Sequence, residues 1–359
     1  MCKYKHLPKG WKVKKLGEIS NIKTGKSNAV DADINGKYAF FDRSKKIKKS
    51  NRFLFDCESL IIPGEGAQFF PRYYSGKFDL HQRVYVIFNF HNSVHIRFVE
   101  YYLIFSHKYF EEVAVGATVK SLRLRHFTEI QIPFPSLSKQ KFIVVTLNKT
   151  FAKITKAEAI AKTNLQNAKE LFESYLNNVF EDKGDDWEEK TLGEVIEIRS
   201  GRNQKEVLNP NGKYPILGSA GKVMGYADKF LCVSGTTIIG RKGTINKPLF
   251  IKTNFWNVDT AFGLIASDKL TNEFLYYFCR SFNFKELDKG TTLPSLVKKD
   301  LIKITISFPK LKNEQKQIVQ KLEQLQSQVK KLEVIYQQKI TDLSELKKSI
   351  LQKAFNGEL

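Results

Sequence analysis

The sequence predicts an α+β protein built twice over: two similar mixed α/β modules, each followed by one long helix. Three observations predict it. Sequence blocks recur in the same order at a near-constant offset. Short β-branched and aromatic runs punctuated by Gly and Pro fill the first part of each copy. A stretch of more than forty residues without Gly or Pro then closes each copy. The length of 359 residues gives room for two or three domains, each able to bury its own core.

The duplication carries most information, because self-similarity decides the architecture before any motif is weighed. Trp11-Lys-Val-Lys-Lys-Leu16-Gly17-Glu18-Ile19 recurs as Trp187-Glu-Glu-Lys-Thr-Leu192-Gly193-Glu194-Val195. Gly25 matches Gly201, and Asn35-Gly36-Lys37-Tyr38 matches Asn211-Gly212-Lys213-Tyr214. Gly66 matches Gly243, and Gly116-Ala-Thr118-Val-Lys-Ser121-Leu122 matches Gly290-Thr-Thr292-Leu-Pro-Ser295-Leu296. Ile130-Gln-Ile132-Pro-Phe134-Pro135 matches Ile304-Thr-Ile306-Ser-Phe308-Pro309, and Gln140-Lys141-Phe-Ile143-Val144 matches Gln315-Lys316-Gln-Ile318-Val319. The offset stays between 174 and 178, a register that chance does not hold over so many blocks.

Pattern divides the chain into 1–136, 137–183, 184–310 and 311–359. Runs such as Leu60-Ile-Ile-Pro-Gly64 and Gly235-Thr-Thr-Ile-Ile-Gly240 read as strands and turns, with helices near Val99–Tyr109 and Asn272–Phe282. After Pro135 the apolar residues Leu147, Phe151, Ile154, Ala161, Leu165, Ala168, Phe172, Tyr175 and Val179 recur at helical spacing. After Pro309 the series is Leu322, Leu325, Val329, Leu332, Tyr336, Leu343, Leu346 and Ile350. Such seams among Glu, Lys and Gln read as coiled-coil helices, with one side of an ordinary bundle as the alternative. Two similar long helices most simply pack on each other. Glu158 and Lys339 interrupt the seams.

The formal net charge of +22 points to a polyanion, nucleic acid first, with a membrane surface or plain solubility as alternatives. The excess sits mostly in the modules, at +11 for residues 1–136 and +5 for residues 184–310. No apolar run reaches membrane-spanning length, and Met1–Gly10 lacks the apolar core of a secretory signal. Cys2, Cys57, Cys232 and Cys279 are scattered, which argues against a disulfide framework and a zinc ribbon and fits a reducing cytoplasm.

A search for catalytic constellations finds little. There is no GxxxxGK[ST] loop, no GxGxxG opening a βα unit, no GxSxG, and no Asp or Asn before two prolines and an aromatic. His91-Asn-Ser-Val-His95 has the His spacing of a zinc protease without its Glu. Glu188-Glu189-Lys190 mimics part of a metal-dependent nuclease motif, but repeat one has Lys12-Val13-Lys14 in that slot. The sequence therefore predicts no catalytic residues and no metal site.

Basic and polar clusters remain as candidate DNA contacts. In the first copy they are Arg43, Lys45 and Lys46; Arg72; and Lys120, Arg123 and Arg125. In the second they are Arg199, Arg202, Asn203 and Gln204; Arg241 and Lys242; and Lys298 and Lys299. Lys and Arg neutralise phosphates, and Arg, Asn and Gln also bond base edges in the major groove.

On these residues the whole chain resembles the specificity (S) subunit of Type I restriction-modification systems. The Trp-x4-Leu-Gly-Glu opening, the Gly-x-Thr-x-x-Ser-Leu block, the Ile-x-Ile-x-Phe-Pro edge and the Gln-Lys-x-Ile-Val helix start carry the resemblance, each twice and in order. The ending Ile350-Leu-Gln-Lys-Ala-Phe-Asn-Gly-Glu-Leu359 adds to it. The resemblance implies two target-recognition domains, 1–136 and 184–310. It implies spacer helices in 137–183 and 311–359, packed as an antiparallel coiled coil with pseudo-two-fold symmetry. It implies that each domain reads half of a bipartite double-stranded DNA target. It further implies that two methylation subunits and the restriction subunits dock on the chain, with S-adenosylmethionine, ATP and Mg held by those partners and no cofactor here. A specificity subunit of a fused restriction–methylation enzyme and a non-enzymatic coiled-coil scaffold are the alternatives. Pro294 stands where the first copy has Lys120, which puts the equivalence of that loop in question.

Overall fold

The computed structural model describes residues 7–359; Cys2 and most of the amino-terminal segment considered above lie outside them. The described residues form two compact units, residues 7–161 with 338–359, and residues 162–337.

In the first unit the elements run β1 (Lys12–Lys15), α1 (Leu16–Ile19), β2 (Asn21–Thr24), β3 (Tyr38–Phe41), β4 (Lys48–Ser50), β5 (Phe55–Pro63), β6 (Arg72–Leu80), β7 (Val84–Phe88), α2 (Ile96–Phe105), α3 (His107–Val113), α4 (Leu124–Thr128) and β8 (Gln131–Phe134). The helix α5 (Leu137–Glu181) follows. The main sheet has the order β2-β7-β5-β6-β3-β4. Alternation sorts its residues onto two faces, as the period-2 pleat requires. Leu60, Ile62, Tyr85 and Ile87 join the helices in one core, while Ile61, Phe78, Leu80, Val84 and Val86 close a second core on the other face.

The second unit runs β9 (Trp187–Thr191), α6 (Leu192–Val195), β10 (Ile196–Ser200), β11 (Tyr214–Leu217), β12 (Val223–Ala227), β13 (Thr236–Gly240), β14 (Leu249–Ile251), β15 (Trp256–Asn257), β16 (Ala261–Ala266), α7 (Asn272–Ser281), α8 (Lys298–Leu301) and β17 (Thr305–Pro309). The helix α9 (Lys312–Phe355) follows. Here the sheet is divided, β10-β16-β13-β14 and β12-β11-β15. Ile239, Phe262 and Leu264 face the helices, and Ile238, Ala261 and Phe255 face away.

The recurring blocks are the joints of each unit. The opening block pairs with the Ile-x-Ile-x-Phe-Pro edge: Lys12 lies opposite Phe134, and Trp187 opposite Pro309, both antiparallel. Leu16 and Leu192 are fully buried. Glu18 accepts the Lys15 N–H at 3.1 Å, and Glu194 accepts the Thr191 N–H at 2.7 Å, each closing a helix start. Gly25 and Gly201 have no room for a side chain. A Cβ would sit 1.8 Å from the Leu80 carbonyl oxygen in one and from that of Val258 in the other.

A buried glutamine fastens each long helix to its module. The Gln140 Nε2 donates to the carbonyls of Ser93 and Pro135, and its Oε1 accepts the His95 N–H. Gln315 does the same with Lys269, Pro309 and Thr271. From these residues the seams step by sevens. Leu147, Ile154, Ala161 and Ala168 are buried along α5, and Leu322 and Val329 along α9. That is the coiled-coil period rather than the 3.6 of a straight amphipathic helix. Tyr175 faces solvent, and Leu176 takes the seam in its place; Leu332 and Leu346 are likewise exposed rather than part of the seam of α9. In the first unit the start of α5 lies antiparallel to the end of α9: Lys139 donates to the Leu359 carbonyl, and Lys347 pairs with Glu158 at 2.9 Å. Glu158 is thus paired at the helix contact, and Lys339 is exposed beside the half-buried Ile340.

Candidate nucleic-acid interface

In the first unit three segments converge on Glu65, which follows β5. The loop after β3 brings Arg43, the turn between β6 and β7 brings Arg83, and Ser121 forms a β-bridge with Glu65 itself. Arg43 Nη1 donates to Glu65 Oε2 at 2.9 Å, and Arg83 Nη1 donates to the other oxygen. Burial pushes the Glu65 carboxyl up, but the two arginines outweigh it and hold the carboxyl below its ordinary value. An open cavity of about 550 Å³ beside it is lined by Arg43, Lys45, Glu65, Gly66, Phe70 and Arg72, among others.

Arg72 is turned into the protein. Its guanidinium donates to the carbonyls of Asp42, Ser44 and Lys45 at 3.1, 3.0 and 3.4 Å, and it lies 5.1 Å from the Phe41 ring centroid. Asp42 closes the same loop by accepting from the Ser44 N–H and hydroxyl and pairing with Lys48. Arg43, Lys45 and Lys46 are thereby displayed on a fastened loop, all exposed. Lys120 and Arg123 are exposed on the neighbouring segment, where the Gly66 N–H bonds the Lys120 carbonyl and the Leu122 N–H bonds the Gly64 carbonyl. Arg125 lies two residues on, exposed on α4 beside the buried His126.

The second unit builds the same joint. The Gly243 N–H bonds the Pro294 carbonyl at 2.8 Å, the Leu296 N–H bonds the Arg241 carbonyl at 2.9 Å, and Lys242 bridges Ser295. The backbone is therefore equivalent despite Pro294, because the first copy uses only the Lys120 carbonyl and Pro keeps its carbonyl. One side chain is inverted in charge: Lys242 stands where the first unit has Glu65. Arg241 is half-buried against Phe262, and Lys242 and Lys299 are exposed. Lys298 donates to the Ile198 carbonyl at 2.9 Å, and Arg199 is paired with Glu197 and donates to the Leu231 carbonyl. Arg202 is exposed above Trp256, which donates to its carbonyl, and Asn203 and Gln204 form the turn that follows. The second unit thus brings Arg199 and Lys298 together near β10, with Arg241 and Lys242 on the adjoining joint.

Sequence reading missed Arg83, Glu65 and Arg52. Arg52 is held by Asp31 and the buried Asp79, which also accepts from Ser27 and Ser50. These pairs join residues far apart in the chain, so no local pattern marks them. Among the described residues there is no group of three or more His, Cys, Asp or Glu able to hold a metal, and no helix long and apolar enough to cross a membrane. His91 bonds Ser93 and His95 precedes α2, which leaves the HNSVH spacing without a ligand geometry.

The family model described as Type I restriction modification DNA specificity domain matches residues 8–164 and again 184–341. The chain belongs to the Type I specificity-subunit family. The family's domain occurs twice, once per repeat, with the long helix beginning inside each match. Among curated relatives, the chain is similar to the Type I restriction enzyme EcoDI specificity subunit of Escherichia coli, 26% identical over 405 residues that cover 98% of this chain and 89% of the relative. In fold it is similar to a chain from a structural study of complex assembly and conformational transition of the type I R-M system. That match has a TM-score of 0.81 at 19% identity and covers 99% of this chain and all of the other. It is similar also to the HsdS subunit from Thermoanaerobacter tengcongensis, with a TM-score of 0.61 at 20% identity over the full length of both.

Proposed function

We propose that this specificity subunit reads a bipartite duplex DNA target, one half with residues 1–136 and the other with 184–310. The observation that carries this is one scaffold used twice with different loops. The joints at Glu18 and Glu194 and at Gln140 and Gln315 match residue for residue, whereas the charged side chains displayed above them do not. A pair of equal scaffolds with unequal reading loops suits a target whose halves differ. Exposed Arg43, Lys45, Lys46, Lys120, Arg123, Arg125, Arg202, Lys242 and Lys299 supply the phosphate and base contacts in this reading. Arg72, Arg199 and Lys298 hold the loops.

The spacer helices, within 137–183 and 311–359, dock two methylation subunits, and the restriction subunits join that assembly. Two exposed apolar positions recur on both helices and support equivalent docking: Ile160 with Ile335, and Leu171 with Leu346. Solvated apolar side chains at matched positions fit two copies of one partner. The chain itself performs no catalysis and carries no cofactor; S-adenosylmethionine, ATP and Mg belong to the partners, in the cytoplasm. Co-purification with the methylation subunits, followed by methylation mapping, tests this. The native chain is expected to bind two methylation subunits, and Ile160→Arg with Ile335→Arg to lose them while free-chain DNA binding remains. Unimpaired assembly by that variant would remove the docking assignment, and sequence-independent binding would remove the reading role.

A further inference from the structure

We propose that Glu65 is a positioning residue for base recognition, holding Arg43 and Arg83 as a paired fork that reads guanine in one half-site; this rests on the DNA-reading function above. The Glu65 side chain is only 10% exposed, and each of its oxygens accepts from a different arginine. The arginines stay open to solvent, 49% exposed for Arg43 and 57% for Arg83. Each spends one terminal nitrogen on Glu65. A guanidinium has five N–H donors in a rigid plane, so the rest of each fork can meet the O6 and N7 acceptors of guanine.

Both arms are also rooted in fixed backbone. The loop carrying Arg43 is stapled by Arg72 through three carbonyls, and the Arg83 carbonyl accepts the Gly64 N–H at 2.9 Å. An arginine held before DNA arrives loses less side-chain freedom on binding, which favours discrimination rather than loose phosphate contact. Without the carboxylate, two cations at this spacing would repel and splay. The equivalent position in the second unit is Lys242, so the device belongs to the first unit alone. Two modules that read different sequences should differ at such a place.

The test uses the chain assembled with its methylation subunits and S-adenosylmethionine on a DNA library randomised across the target. Native, Glu65→Gln, Arg43→Lys and Arg83→Lys are compared, with the half-site read by residues 184–310 as internal reference. Each Lys variant keeps its charge and loses the fork. The expected result is a loss of discrimination at a G·C pair of the first module's half-site, roughly 10- to 100-fold. Glu65→Gln should relax the same pair, with the other half-site unchanged and the salt dependence of binding intact. Unchanged discrimination in the Lys variants, with affinity kept or lowered equally over all sequences, would make the arginines phosphate contacts and overturn the proposal. An equal loss at both half-sites in Glu65→Gln, with a lowered melting temperature, would make Glu65 structural and overturn it too. Failure of the native assembly to select any bipartite target would overturn the DNA-reading function, and this inference with it.

Discussion

The two units share their joints and differ in their display. Both close a four-residue helix with a glutamate, fasten a long helix with a buried glutamine, and pair a β-bridge segment with the loop after a central strand. The first carries one six-stranded sheet and the clamp Arg43–Glu65–Arg83. The second divides its sheet and carries Lys242 with no carboxylate in that place. Residues that hold backbone to backbone cannot change without unpairing buried polar groups, whereas displayed side chains can change at little cost in stability. In the proposed reading, that physical asymmetry would let a duplicated scaffold read two sequences.

The joints can be broken one unit at a time. Phe355 is almost fully buried among Phe98, Tyr102 and Phe105, while its counterpart Phe180 is half-buried against Phe274 and Phe278. Phe355→Ala should cost the first unit ~3–5 kcal/mol, and Phe180→Ala should cost the second about 2 kcal/mol. Unit-resolved hydrogen exchange measures both, and equal costs would deny the difference in packing. Gln140→Ala and Gln315→Ala each strand two carbonyls and one N–H, for a loss of about 2–4 kcal/mol. The two losses should agree within ~1 kcal/mol, since the partners correspond one to one; thermal or chemical unfolding decides.

The duplication, the two long helices and most of their heptad seams were legible in the sequence; Tyr175, Leu332 and Leu346 fit the spacing but are exposed. They rest on local spacing and on residues such as Gly25 and Gly201 that the backbone itself demands. The division of the second sheet was not legible, because strand neighbours are chosen by tertiary packing. The basic clusters were visible as composition only. Nothing near Arg72 in sequence announces that it bonds carbonyls some thirty residues away, and Arg199 gives no sign that Glu197 and the Leu231 carbonyl hold it. Arg83 stood alone in its turn, so its partnership with Glu65 needed the fold.

The display sharpens the comparison at smaller cost. Arg123→Ala with Arg125→Ala should lower the log–log salt slope of DNA binding by about 1.8, at ~0.9 per phosphate contact. Lys298→Ala with Lys299→Ala should lower it by only ~0.9, since Lys298 already donates to the Ile198 carbonyl. Binding titrations over a range of salt give both slopes. Equal slopes would mean that Lys298 leaves its carbonyl when DNA binds.

The central claim is that each unit reads its own half of the target. Replacing residues 184–310 by the equivalent segment of another specificity subunit, and mapping adenine methylation in cells that supply the partner subunits, tests it most directly. One half-site should change and the other should stay letter for letter. If both halves changed, or neither did, the two units would not read independently.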